Sequence, residues 1–187
     1  AVLPAPLTRR HEASDLTESL DAMESPPGAI RIGVAHGSIK THLPAGIQVM
    51  NEIATDRAER ARLDYLALGD WHGTLRITDR TWYAGTPEPD GWKDNQPGNV
   101  LEVTIDAPGA RPRVETIAVG HFHWHQIDAL VQERADLSAL DAQLSSIGAP
   151  YSRHLVTLKL KGSLDVEAKE RLDALLRGYG LKPLLHR

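Results

Sequence analysis

Three side chains of the metal-binding type follow apolar segments of the chain. His36 comes directly after the apolar run 30–35, and Asp70 and His72 come after the run 64–68. Two divalent ions about 4 Å apart can clamp a phosphate and activate a water molecule, and they need imidazole and carboxylate ligands from several loops. The three side chains are candidate ligands of such a site. On spacing alone, a hydrogen-bonded loop histidine and a turn-forming aspartate explain the same pattern.

The composition restricts which metal such a site would hold. The chain has no cysteine, so thiolate ligands and disulfides are excluded, and imidazole, carboxylate, amide and water remain. This donor set favours manganese, iron or magnesium. The net charge of -4 argues against a strongly basic nucleic-acid surface, although a nuclease can bring phosphate to its metals without one.

The sequence shows neither a membrane span nor a secretory signal. No run approaches the roughly eighteen apolar residues that a span needs, and no basic start precedes an apolar stretch. We therefore expect a cytoplasmic protein that does not act at a membrane. A chain of 187 residues is long enough for one domain with a real core and a small appendage.

The elements that would position the candidate ligands are strands joined by a helix. Runs 30–35 and 64–68 predict strands, so both ligand groups stand at strand ends and share one sheet edge if the strands are neighbours. Between them, residues 47–62 place apolar side chains at three- and four-residue spacing, which predicts an amphipathic helix. Shorter strands and a hairpin are predicted at 75–77, 81–83, 100–105 and 113–119.

The two ends of the chain predict further elements. Residues 1–7 have the pattern of a strand already inside a sheet, which suggests a segment upstream, and 11–28 predict a surface connection with a short helical stretch. The pattern changes near Gly120, where we place a domain boundary. Beyond it the sequence predicts a helix, a strand and a second helix, at 126–144, 153–160 and 166–177.

The order of these segments resembles the distal half of the DNA-repair exonuclease branch of the calcineurin-like metallophosphoesterases. The likeness covers roughly residues 1–125, and its most distinctive marker is the pattern Tyr-x-Gly-[Ser/Thr]-Pro-x-Pro. It is carried by Ile32-Gly33-Val34-Ala35-His36-Gly37, by Leu68-Gly69-Asp70-Trp71-His72 and by Tyr83-Ala84-Gly85-Thr86-Pro87-Glu88-Pro89. The resemblance implies an α/β fold: 1–119 would be the C-terminal part of a four-layer αββα sandwich, and 120–187 a small α+β capping domain.

The resemblance also implies a site. By position it makes His36 and His72 metal ligands, with Asp70 in the place of the first histidine of the family's Gly-His-x-His. It implies two divalent ions, most often Mn²⁺ with Fe²⁺ or Mg²⁺ as alternatives, DNA as the substrate, and an ATPase subunit as a partner. Trp71 and Tyr83 stand beside the site and are candidates for stacking on bases, although aromatic residues in such places often anchor a loop or core.

The early motifs of that family are not found in these residues, where the only Asp-x-His is the late one at Asp70. They are an Asp-x-His, a Gly-Asp followed by an Asp, and a Gly-Asn-His-Asp, and they supply the remaining ligands and the histidine that assists the leaving group. We therefore assign no catalytic residue to this chain, and expect activity to need an N-terminal segment or a second chain. Two alternatives stay open: an inactive remnant or docking subunit of a nuclease complex, and a phosphoesterase for small phosphodiesters.

A second histidine pattern follows the predicted hairpin. Gly120-His121-Phe122-His123 matches Gly-His-x-His literally, and His125 extends the alternation, so on a strand the three imidazoles would share one face. Such a face can bind zinc or nickel, but the segment also fits a crossing into the second domain. The other histidines have no partner pattern and are interpreted as exposed or capping residues: His11, His42, His154 and His186.

Overall fold

A computed structural model describes residues 1–42, 50–92 and 95–181. The chain is a mixed α/β protein that divides into two compact units, Ala1–Gly120 and His121–Arg187. The predicted boundary near Gly120 coincides with this division. No helix within the described residues is long and apolar enough to cross a membrane.

The first unit is built on a five-stranded sheet with strand order β1-β2-β3-β5-β4. Four of the strands are parallel, and only β4 runs antiparallel, against β5. The bounds are Val2–Ala5 for β1, Ile32–His36 for β2, Tyr65–Gly69 for β3, Leu75–Arg76 for β4 and Thr81–Tyr83 for β5. The strands predicted at these places are therefore confirmed, and so is the expectation that the strands before His36 and Asp70 are neighbours.

One face of this sheet is buried, and the other is open along β1 and β2, although Tyr65 of β3 is buried on that second face. Along β2, Gly33 and Ala35 are buried whereas Val34 and His36 are exposed, because successive side chains of a strand point to opposite faces. The buried face contributes to a core whose buried members include Leu3, Leu20, Ala35, Ile39, Ile53, Leu63, Leu66, Leu68 and Tyr83. On the open face the register aligns one row across four strands, made of Pro4, Val34, Ala67 and Trp82.

The helix predicted over 47–62 is wrong for the part of it that the structure describes before residue 57. Helix α2 spans Arg57–Arg60. The backbone before it is held by the loop after β2, since Ser38 forms a bridge with Glu52 and the Ile53 amide donates to the Ser38 carbonyl. Asn51 has a φ of 53°, which an α-helix does not accommodate. These long-range contacts override the helical spacing, and residues 47–49 of the prediction lie outside the described residues.

A buried arginine fixes the helical segments against each other. A 3-10 turn at Leu16–Glu18 leads into α1, Ser19–Ala22, within the short helical stretch predicted there. The Arg57 side chain is 0% exposed, and its guanidinium lies 2.9 Å from Asp15 Oδ2 and 2.8 Å from Asp21 Oδ2. Because a buried charge is costly unless it is paired, these contacts hold the segment before β2 against α2.

The predicted hairpin completes the first unit. Strands β6, Asn99–Thr104, and β7, Arg113–Ala118, pair antiparallel. Both strands have exposed and half-buried residues in their patterns and no fully buried one. The hairpin therefore adds an outer ribbon to the unit and little to its core.

In its described part, the second unit contains two parallel strands, two α-helices and a 3-10 turn at Tyr151–Arg153. Strand β8 is His123–Val131 and β9 is His154–Gly162; helix α3 is Arg134–Ser146 and α4 is Val166–Gly178. The prediction of a helix over 126–144 is wrong for its first part, because Gln126 to Val131 pair residue for residue with β9. The residues of 126–129 alternate between polar and apolar, which is the strand signal that the helical interpretation missed.

Candidate metal centre

Two candidate ligands meet where β2 and β3 end. The strands are parallel, with His36 opposite Gly69, so the side chain of His36 and the residue after Gly69 reach the same edge of the sheet. His36 Nε2 lies 3.6 Å from Asp70 Oδ1. The side chains of His36 and Asp70 are 57% and 36% exposed, so this pair faces solvent and has room for a further ligand.

Asp70 is held in an unusual conformation. Its φ is 105°, a region that residues with a side chain rarely adopt. The buried Ser38 hydroxyl donates to Asp70 Oδ2, which leaves Oδ1 directed toward His36. Backbone strain of this kind costs about 1–3 kcal/mol and is concentrated at functional sites. The sequence analysis did not identify Ser38, although it stands two residues after the candidate ligand His36.

Two further residues define where the His36 imidazole can go. Gly69 lies beneath it: a Cβ built at this position would be 2.8 Å from His36 Nδ1. The loop after His36 is fixed by Tyr83, whose hydroxyl donates to the Gly37 carbonyl at 2.7 Å and accepts from the Ile39 amide at 3.0 Å. The imidazole of His36 therefore lies over Gly69, where β2 and β3 end side by side.

His72 belongs to a different pair. Its Nδ1 lies 2.6 Å from Asp90 Oδ2, and its carbonyl accepts the Thr86 amide at 2.9 Å. A histidine that donates one ring N–H to a carboxylate presents its other nitrogen to a metal, which is the usual arrangement around bound metal ions. Asp90 was not predicted, and the signal that could have found it is its position directly after Thr86-Pro87-Glu88-Pro89.

The structure brings together part of the predicted ligand set. His36 and Asp70 are adjacent, whereas His72 is paired with Asp90. Within 1–42, 50–92 and 95–181, no group of three or more His, Cys, Asp or Glu residues is arranged to hold a metal ion. Two ligands of one octahedral ion, each about 2.1 Å from it, lie about 3 Å apart, so the pair His36 and Asp70 is close to the spacing that a divalent ion needs.

The two aromatic residues proposed to contact substrate have different environments. Tyr83 is 0% exposed, and burial raises its pKa to about 12. Its ring offers no face to a base, so a stacking role is incompatible with this position, and the residue supports the loop at 37–39 instead. Trp71 is half-buried and packs against the core of the first unit, so one part of its ring remains accessible.

A shallow groove on the open face of the sheet leads to the histidine. Its volume is about 440 Å³, and it is lined by residues of β1, β2 and β3 that include Pro4, Val34, Ala67, Gly69 and His36. A larger groove of about 630 Å³ lies elsewhere on the unit, between Glu59, Asp64 and Arg80, and contains none of the candidate ligands. The groove at His36 is mainly apolar along its length and polar at the end where the ligands lie.

The second unit contains a separate histidine cluster. His123 and His125 share one face of β8 as expected, whereas His121 precedes the strand. The prediction that His154 has no partner is wrong, because its Nδ1 lies 2.8 Å from His125 Nε2. Burial, followed by the neighbouring imidazoles of His154 and His123, lowers the pKa of His125. The cross-strand register that creates this cluster was not visible in the sequence, because 126–131 were predicted as helix and the pairing with β9 was not predicted.

No protein-family model matches the chain, and no curated protein matches it either. Function is therefore inferred from the residues at the sheet edge and their geometry. The relevant features are a facing imidazole and carboxylate, a second histidine oriented by an aspartate, and a strained backbone that fixes one of the ligands.

Proposed function

We propose that the first unit supplies part of the active site of a metal-dependent phosphodiester hydrolase, with DNA as the substrate class. The observation that carries this proposal is the separation of 3.6 Å between His36 Nε2 and Asp70 Oδ1 at the end of two parallel strands. Ligands of this type, placed on different loops at one sheet edge, suit a dinuclear site for phosphate chemistry.

The donor atoms fit hard divalent cations. His36 and Asp70 would hold one ion together, and His72 would contribute Nε2 while Asp90 keeps its ring in place. One imidazole with one carboxylate, and no thiolate, fits Mn²⁺ and equally Fe²⁺ or Mg²⁺. When bound, such ions neutralise phosphate charge and lower the pKa of coordinated water.

The residues of this chain would hold the metal-ligating atoms in position. Ser38 fixes one oxygen of Asp70, so the other oxygen keeps its direction as substrate enters. The exposed sides of His36 and His72 leave space for a phosphate group. Trp71, half-buried beside the ligands, is the residue that would contact a base, and no residue of the chain is proposed as a general acid or base.

The open apolar face suggests what completes the site. Val2 and Val34 are 66% and 44% exposed on the face that carries His36, and a row of this kind is normally covered. A second sheet packed here would complete a four-layer αββα sandwich and bring the missing ligands to the end of the groove. We propose that it is supplied by an upstream segment or a second chain, in a cytoplasmic complex that can include an ATPase subunit, with the second unit as the cap.

Manganese binding tests the proposal. Titration of Mn²⁺ into the ¹⁵N-labelled chain should broaden the imidazole signals of His36 and His72 before those of the other histidines. His36→Ala should remove the broadening at His72 or weaken it more than tenfold, because a lost ligand lowers affinity by at least the 10–100-fold typical of supporting residues. His154→Ala is the matched control in the other unit and should leave the Mn²⁺ response unchanged.

A second candidate function is docking without catalysis, and the same open face favours it. In that case the apolar row of β1 to β3 would bind a nuclease subunit, and the edge residues would hold no metal. Because cleavage would need the segment or chain that completes the site, metal binding decides between the two functions on this chain alone. An Mn²⁺ titration that never affects the signals of His36 would contradict hydrolysis and support docking. Once the site is completed, cleavage of small phosphodiesters but not of DNA would identify the smaller substrates.

A further inference from the structure

Three histidines of the second unit come together at the start of its two strands. The parallel register places His123 opposite His154, and His125 lies two residues further along β8 on the same face. The rings of His123 and His154 are stacked with centroids 5.1 Å apart, and those of His125 and His154 are 5.0 Å apart. Two neighbouring strands thus contribute three imidazoles to one place.

Two of the ring nitrogens already face each other. His125 Nε2 and His154 Nδ1 are 2.8 Å apart, a hydrogen-bonding distance at which one ring nitrogen donates its proton and the other accepts it. Two imidazole ligands of a tetrahedral ion, each about 2.0 Å from it, lie about 3.3 Å apart. An increase of about 0.5 Å in their separation would let a metal ion take the place of that proton.

The third imidazole needs only a change of rotamer. His123 is exposed and stacks on His154 with an interplanar angle of 26°, so its nitrogens do not point between the other two rings. This arrangement agrees with the absence of a ready-made group of three ligands in the described part of the chain. Exposed side chains change rotamer in picoseconds to nanoseconds, so a cation bound to His125 and His154 can recruit His123 quickly.

We propose that His123, His125 and His154 bind a late first-row transition-metal ion, with Zn²⁺ as the principal ligand and Ni²⁺ and Cu²⁺ as substitutes. Three imidazoles without a carboxylate suit these ions better than manganese or magnesium. The ion would join the start of β8 to the start of β9. In the described part of this unit the buried apolar side chains are few: Val131, Leu137, Leu140, Leu144 and Ala168. Small folds with such a limited core are often stabilised by a structural metal.

Zinc titration of the full chain tests this proposal without reference to the manganese site. Isothermal titration with Zn²⁺ alone should give saturable binding that His125→Ala and His154→Ala each weaken more than tenfold. His123→Ala should weaken it less, because its ring joins last. His11→Ala, at an exposed histidine that belongs to neither candidate site, should leave zinc affinity unchanged, and Co²⁺ bound in place of zinc should show the visible absorption of a tetrahedral ion.

A conservative variant serves as the control for correct folding. His154→Gln keeps a polar side chain opposite His125, and its circular dichroism and melting curve in EDTA should match those of the wild type. Zn²⁺ should raise the melting temperature of the wild type and not of His154→Gln, and it should shift the imidazole ¹⁵N signals of His125 and His154. Zinc affinity that is unchanged by His125→Ala and His154→Ala, or no saturable binding by the wild type, overturns the proposal.

Discussion

His36 Nε2 lies 3.6 Å from Asp70 Oδ1, and the carboxylate is held there by the Ser38 hydroxyl on its other oxygen. Asp70 adopts a φ of 105° to reach this position. The relationship joins the ends of two neighbouring strands, so its geometry depends on the sheet and on one strained residue. The charge of Asp70, the hydrogen bond from Ser38 and the close approach of Gly69 to His36 can each be altered by a single substitution.

Replacing Asp70 by asparagine separates the contribution of this residue to Mn²⁺ binding from its contribution to folding stability. The amide oxygen of Asp70→Asn can still accept from Ser38, and asparagine tolerates positive φ well, so we expect the free energy of unfolding in urea to change by less than about 1 kcal/mol. Loss of the negative charge should weaken Mn²⁺ binding more than tenfold.

The control for this substitution is Ser38→Ala. It keeps both candidate ligands and removes only the hydrogen bond that orients Asp70, so its effect on Mn²⁺ affinity should be smaller than that of Asp70→Asn. Equal Mn²⁺ affinity in Asp70→Asn and the wild type would show that the carboxylate is not a ligand.

Gly69 tests whether the position of the imidazole matters. A Cβ at this residue would lie 2.8 Å from His36 Nδ1, so Gly69→Ala should displace the ring and weaken Mn²⁺ binding. The neighbouring atom belongs to an exposed side chain that can move, so the unfolding midpoint should change little. Gly178→Ala in α4, where a Cβ meets no atom within 4 Å, is the control and should stabilise the chain by about 0.5–1 kcal/mol. Wild-type Mn²⁺ affinity in Gly69→Ala would rule out His36 as a ligand in this orientation.

The site was partly predictable because strand ends are visible in a sequence. The apolar runs before His36 and Asp70 are short, and both form parallel strands, so their ends meet at one sheet edge. Asp90 and Ser38 were not predicted because they act through contacts between loops, which no periodicity records. Of the two roles left open for Tyr83, its burial favours the anchor of a loop and core over stacking, and a motif position does not reveal burial.

The fold was least predictable where long-range contacts decide it. Residues 50–56 have helical spacing but follow the loop after β2, and Asn51 at a φ of 53° prevents a helix. In the second unit, β8 pairs with β9, which lies beyond α3 in the chain. The His125 and His154 contact arises from that pairing, so a sequence that shows neither strand register nor partner cannot reveal it.

The buried pairing of Arg57 predicts a large loss of stability when it is broken. Arg57→Ala leaves Asp15 without its cation and Asp21 with Arg60 alone, and removing one partner of a buried ion pair typically costs about 3–5 kcal/mol. The measurement is urea unfolding. Arg134→Ala is the matched control, because Arg134 and Glu167 form an ion pair 2.7 Å apart with side chains 63% and 60% exposed, and we expect no measurable change there. Similar losses in the two variants would mean that Arg57 contributes no more than a surface pair.

Buried tyrosines predict instability in alkali. Burial raises the pKa of Tyr65 and of Tyr83 from 10.0 to about 12, so the folded chain keeps both protons at a pH where the unfolded chain loses them. Since the folded state then binds more protons, the free energy of unfolding should be unaffected below pH 10 and fall as pH rises from 10 to about 12. Urea unfolding at a series of pH values measures this slope.

Tyr83→Phe is the variant that isolates one of the two groups. It should unfold more easily at neutral pH, by about 1–3 kcal/mol, because the Gly37 carbonyl and the Ile39 amide lose their buried partner. Its stability should nevertheless fall less steeply than that of the wild type above pH 10, since the raised pKa of Tyr83 no longer contributes. An identical slope in Tyr83→Phe and the wild type would mean that the Tyr83 hydroxyl ionises equally in the folded and unfolded chains.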